Sequence, residues 1–163
     1  MKISSRTEYG IRVLVTLARN EGESCLSLSE IARREKLPHA YLEQLVGDLR
    51  RAGLVTATRG QAGGYSLARS AADIAMTDAV RALEGPLLEM PCGGADDLEH
   101  CDRPQPCSVH EVFQRAYESL STSLGATTLA EVAASAGGPP YPPAVRRRVL
   151  AEHLAHQQEA RNA

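Results

Sequence analysis

Residues 29–68 constrain this chain most, because their apolar period changes once and every change is punctuated. Ser29-Glu30-Ile31-Ala32-Arg33-Arg34-Glu35 reads as a short helix. Ser27 or Ser29 caps it by accepting hydrogen bonds from its first free amides. Lys36-Leu37 leaves room only for a tight turn before Pro38, which suits the first position of the next helix. There Leu42, Leu45, Val46 and Leu49 share one face, and Gly53 follows as a left-handed cap. The period then shortens: residues 54–58 are rich in β-formers, Arg59-Gly60-Gln61-Ala62-Gly63-Gly64 is a turn, and Tyr65-Ser66-Leu67-Ala68 extends again. Helix, tight turn, helix and glycine hairpin define a winged helix-turn-helix.

Before it, residues 5–19 form a helix whose Ile11, Leu14, Val15 and Ala18 make one apolar stripe, ended by Asn20-Glu21-Gly22. After it, Asp73 or Thr77 opens a helix through Val80, Ala82 and Leu83 that Gly85-Pro86 terminates. From Ser108, the residues Val109, Val112, Phe113, Ala116, Tyr117, Leu120 and Leu124 line a long helix. At 1.5 Å per residue it spans roughly 25 Å and needs a partner for its apolar side. Thr127 or Thr128 caps a last short helix to about Ala134. The fold expected is mainly α with a small β-hairpin. It divides into a winged helix-turn-helix (1–85), a cysteine loop (86–107), a dimerisation helix with a short capping helix (108–135), and a Pro/Gly linker with a basic tail (136–163). No stretch approaches the roughly 20 apolar residues that cross a bilayer, and the N-terminus lacks the apolar core of a signal peptide. A cytoplasmic, non-membrane protein is expected.

The net charge of −2 conceals a segregation. Residues 1–70 carry eleven Lys/Arg against seven Asp/Glu, residues 71–135 three against eleven, and the tail four against two. The first segment approaches phosphate and the second is repelled by it. A double-stranded operator DNA is the partner this favours, with the helix that begins at Pro38 entering the major groove. Its early residues His39, Ala40, Tyr41, Glu43 and Gln44 are the ones expected outward; Glu43 suits cytosine amino groups and Gln44 suits adenine. Arg33, Arg34, Arg50 and Arg51 are expected at phosphate or solvent, positioning rather than specifying. Arg59 with Gly60 behind it is placed to reach a minor groove. No Ser/His/Asp set, no phosphate-cradling glycine loop followed by Lys and no tandem ferredoxin cysteine run is present, so an enzyme is not expected and a small iron-sulfur electron-transfer protein is the lesser alternative to a regulator.

Thr7-Glu8-Tyr9-Gly10-Ile11-Arg12, Tyr41-Leu42-Glu43-Gln44-Leu45, Ala52-Gly53-Leu54-Val55 and the Arg59–Ala68 hairpin resemble the bacterial Rrf2 family of regulators typified by IscR and NsrR. The resemblance covers about residues 1–125, and the Arg-Gly-x-x-Gly-Gly-Tyr hairpin is its most specific part. It implies a homodimer with two winged modules joined through the long helix, reading a pseudo-palindromic operator as a repressor and responding to nitric oxide, redox state or cluster supply.

Cys92, Cys101 and Cys107 fall in one acidic loop, spaced C-x8-C-x5-C, that has too few apolar residues for a core of its own. Clustered thiols in a reducing compartment point to metal or redox chemistry rather than disulfides. Thiolates are the soft ligands of iron-sulfur clusters and of zinc, and three leave a fourth position open. Zinc on the three cysteines with His100 or His110, or a cluster-free thiol switch, is the alternative to a cluster. The resemblance implies a cluster at these cysteines, with His110 as fourth ligand in the IscR-like pattern and Glu8 of the other subunit in the NsrR-like one. Both residues are present, so a two-iron and a four-iron cluster stay open. The family's gaps are five and five, so the first gap here is longer by three. Cys25 reads as an ordinary small residue.

Overall fold

A computed structural model describes residues 4–60, 63–88 and 108–135. Ser4 starts α1 (Ser5–Ala18) by accepting the Thr7 amide on its hydroxyl, which satisfies one free N–H of the helix end. Ser27 does the same for α2 (Leu28–Glu35) through the Glu30 amide, so it, not Ser29, is the cap. Lys36 turns the chain through the left-handed region at φ 54° and α3 (His39–Arg51) follows. Pro38 occupies the cap position just before α3, one residue earlier than expected, and Gly53 at φ 71° diverts the chain after it.

Strands β1 (Val55–Thr58) and β2 (Gly64–Leu67) pair antiparallel, Val55 opposite Leu67 and Thr58 opposite Gly64. Leu26 and Tyr65 exchange backbone hydrogen bonds of 3.0 and 2.8 Å, pinning the hairpin to the body. Space dictates the hairpin's glycines. A Cβ on Gly63 would stand 2.3 Å from the Thr58 carbonyl oxygen, and one on Gly64 2.5 Å from that of Leu26.

A 3-10 turn (Ala71–Asp73) leads into α4 (Met76–Glu84). Neither Asp73 nor Thr77 caps it; Ala75 holds that position and offers no side-chain acceptor. The backbone compensates, because Met76 donates to the Thr127 carbonyl at 2.9 Å and Leu129 donates to that of Ile74 at 2.8 Å. These bonds clip the start of α4 to the turn between α5 (Ser108–Gly125) and α6 (Leu129–Ala134). In α6, Thr128 and Glu131 form a reciprocal capping box.

Helix α1 packs against α2, α3, α4, α6 and β2, around a core that includes Val13, Leu14, Leu42, Leu45, Leu49, Ile74 and Leu129. Its deepest residues are Tyr9, Val13, Leu14 and Leu17, while Ile11, Val15 and Ala18 are only half-buried. A helix enclosed on several sides buries more than one stripe, so the expected line of residues is rotated relative to the deepest face. Gly10 admits α4 closely: a Cβ there would lie 2.4 Å from Leu83 Cδ1.

Candidate nucleic-acid interface

The second helix of the helix-turn-helix presents its outer face because its inner face is anchored. Leu42, Leu45, Val46 and Leu49 are buried, and rotation by the helical period leaves His39, Ala40, Glu43 and Gln44 exposed. His39 Nδ1 lies 3.6 Å from Glu43 Oε1 one turn on. Tyr41 departs from expectation. It is 4 % exposed and its ring meets Tyr9 edge-to-face with centroids 6.0 Å apart, so its side chain belongs to the core rather than to base edges. Burial, and then the nearby Tyr9, push its phenol well above the usual range, which keeps it neutral.

The arginines expected at phosphate divide into two sets. Glu30 accepts from Arg33 at 3.0 and 2.7 Å and from Arg34 at 2.7 Å, so both guanidiniums share one carboxylate. The bonds from Arg33, then Arg34, hold that carboxyl down to about 2. Arg50 is exposed at the end of α3, and Arg59 and Gly60 are exposed at the hairpin tip, where Gly60 adopts φ 121°. Hairpin and helix thus each expose an arginine.

Two further residues beside α3 carry no signal in the sequence as a pair. Arg6 from α1 forms an ion pair with Asp48 of α3, which also holds Arg51. The Asp48–Arg51 pair is legible from its i, i+3 spacing. The Arg6–Asp48 pair joins residues 42 positions apart, and no local pattern announces it.

Cys92, Cys101, Cys107 and His100 lie outside the described residues, as do most of residues 86–107 and all of 136–163. Among the described residues no group of three or more His, Cys, Asp or Glu is placed to hold a metal. His110, three residues after Cys107, sits half-buried in the first turn of α5, and its Nδ1 is buried without a hydrogen-bond partner among the described residues. Glu8 is half-exposed on α1, with Oε1 3.5 Å from Arg12 Nη1. Cys25 donates through Sγ to Thr58 Oγ1 at 3.6 Å, beside the hairpin. An imidazole nitrogen and three thiols form a donor set that suits an iron-sulfur cluster or zinc.

Helix α5 has no buried residue, and Val109, Val112 and Phe113 are 58 %, 54 % and 44 % exposed. It meets the body chiefly at α4, where Arg81 donates to the Tyr117 hydroxyl at 2.7 Å. Among the described residues no helix is long and apolar enough to cross a membrane.

Known proteins share this fold. A family model described as Rrf2, iron-dependent transcriptional regulator, matches residues 3–135. The chain is 38 % identical over 138 residues to the HTH-type transcriptional regulator CymR of Bacillus subtilis, covering 85 % of this chain and 94 % of that protein. To the regulator IscR of Vibrio atlanticus it is 32 % identical, covering 81 % and 75 %. The solved structure of CymR, described as the global cysteine regulator of B. subtilis, superposes with a TM-score of 0.69 at 34 % identity over 84 % of this chain and 99 % of that one. The structure of IscR from T. potens does so with 0.64 at 35 % identity, over 85 % and 94 %. These relatives are winged-helix transcriptional regulators and not enzymes.

Proposed function

Since this chain belongs to the Rrf2 family of DNA-binding transcriptional regulators, we propose that it is an iron-sulfur-dependent homodimeric regulator, a repressor, responding to nitric oxide, redox state or cluster supply. The observation that carries the sensor reading is His110. A buried imidazole nitrogen with no partner among the described residues, three positions from Cys107, supports a ligand role for this side chain. Cys92, Cys101 and Cys107 would hold the cluster with His110, and Glu8 is the competing fourth ligand. Bound there, a cluster supplies iron that reacts with nitric oxide or oxidants.

The chain's own residues do the rest. Gln44, Glu43, His39 and Ala40 meet base edges, Arg50 meets phosphate, and Arg59 with Gly60 meets the minor groove. Val109, Val112 and Phe113 bury against the same helix of a second subunit, which sets the separation of the two copies of α3. The likeness to CymR supports a second reading, a zinc or thiol regulator without a cluster. Cys25 beside Thr58 would then bring thiol chemistry directly to the hairpin.

Anaerobic native mass spectrometry of the wild type, Glu8→Ala and His110→Ala tests both. The expected result is a coloured dimer whose iron content falls in His110→Ala and persists in Glu8→Ala. Colourless, zinc-loaded or metal-free protein from an anaerobic preparation would reject the cluster. Equal operator affinity of loaded and stripped protein would reject its role as a switch.

A further inference from the structure

We infer that Arg6 and Arg51, seated on Asp48, form a clamp for a DNA backbone phosphate beside α3, an inference that rests on the DNA-binding reading above. Asp48 receives Arg6 from the first turn of α1 and Arg51 from the last turn of α3. Its carboxylate is 13 % exposed, whereas the side chain of Arg51 is 75 % exposed. The acid is the floor of the cluster and the guanidiniums are its open rim. Tying α1 to α3 needs one arginine; the second leaves the triad at +1, a cluster that suits an anion.

Placement identifies that anion. Arg6, Asp48 and Arg51 line one open cavity of about 490 Å³ together with Glu43 and Gln44. The cluster therefore shares a wall with the side chains that face base edges, the Glu43 carboxylate among them. A helix in the major groove is flanked by phosphates, and arginine forks match phosphate oxygens bidentately. Asp48 keeps both forks in place in the free protein, so little side-chain freedom is given up when the phosphate arrives. Arg6 is a positioning residue: it fixes how α3 lies in the groove and reads no base.

The test is fluorescence anisotropy of the full chain on two labelled duplexes, an operator selected in vitro and a random sequence, across a series of chloride concentrations. Arg6→Ala and Arg51→Ala are each expected to weaken both duplexes alike and to make the log affinity–log salt slope shallower by about 0.9 for every phosphate no longer neutralised. Arg6→Lys should keep the slope, and Asp48→Asn should tighten the random duplex. Unchanged slopes in both alanine variants, with only a lower melting temperature, would overturn the clamp and leave a tie between helices. Should Arg6→Ala not fold, Arg51→Ala decides alone. Binding of inorganic phosphate at Arg51, lost in Arg51→Ala, that leaves DNA affinity unchanged beyond the ionic-strength effect would overturn it in favour of a free-anion site. A wild type that binds no selected duplex would instead sink the DNA-binding reading itself.

Discussion

Glu84 is where a single carboxylate fastens the start of α1 to α4, and removing it should loosen both helices. Its Oε1 accepts the Ser4 amide at 2.7 Å and also the Thr7 hydroxyl. Thr7 is fully buried, so water cannot replace the missing acceptor. A hydrogen bond to a charged group contributes about 1.5–3 kcal/mol net, and a stranded buried hydroxyl costs about 1–3 kcal/mol. Glu84 itself is largely exposed, and solvent screening keeps the total below the sum. Glu84→Ala is expected to cost about 2 kcal/mol, and Glu84→Gln, which retains a carbonyl acceptor, about 1 kcal/mol. Burial raises the Glu84 carboxyl, but the bonds from Ser4 and Thr7 outweigh it and leave the pKa below its ordinary 4.5. A lowered folded pKa means that this stabilisation is complete above the unfolded value and is lost as pH falls through the folded one. Urea unfolding followed by circular dichroism at neutral pH and in the acid limb, with a Glu84→Ala/Thr7→Val double-mutant cycle, measures it. The coupling should be about 1–2 kcal/mol at neutral pH and shrink on acidification. Zero coupling, or a coupling equal at both pH values, would refute the bond's role.

Gly64→Ala drives a Cβ into the Leu26 carbonyl and should detach the hairpin, lowering operator affinity in anisotropy assays while leaving the helical content of the circular dichroism spectrum intact. Val112→Asp with Phe113→Asp places two charges on the exposed apolar face of α5; sedimentation should report a monomer if that face is the subunit seam. Gln44→Ala should flatten discrimination at one base pair by about 1–3 kcal/mol in a competition series of mutated operators, with non-specific binding unchanged.

The helix-turn-helix and hairpin are legible in the sequence because local rules suffice there: caps, a 3.6 period, then a run of β-formers closed by glycines. Leu42, Leu45, Val46 and Leu49 are buried as their spacing demands. Tyr41 defies its expected outward position for a physical reason. An amphipathic helix face is a wide arc, and a tyrosine at its margin turns inward when another element, here Tyr9 of α1, offers a ring to pack on. The α4 cap differs from expectation because backbone pairing with residues 127 and 129 replaces a side-chain cap, across some fifty positions of chain. Sequence distance of the same kind hides Arg6–Asp48 and Glu84–Thr7. Long-range polar pairs leave no periodic trace.

The two candidate fourth ligands are wired differently into the helix-turn-helix, and that difference is testable without any metal. Arg12 lies 3.5 Å from Glu8 and 3.9 Å from Glu35, and Glu35 accepts the Thr16 hydroxyl at 2.5 Å. Glu35 is the last residue of α2, directly before the left-handed turn at Lys36 that aims α3. Whatever engages the Glu8 carboxylate therefore alters an ion-pair chain ending at that turn. Among the described residues no ion pair links His110 to that turn, and α5 meets the body chiefly at α4. In metal-free protein, Glu8→Ala should let Arg12 settle wholly on Glu35 and slow amide exchange at Lys36 and Leu37, whereas His110→Ala should leave those amides untouched. Both pairs are long and partly solvent-screened, worth about 1 kcal/mol each, so the change is a few-fold in exchange rate and not a refolding. Equal exchange at those amides in wild type and Glu8→Ala would break the chain at Arg12 and leave packing alone to connect the loop with α3.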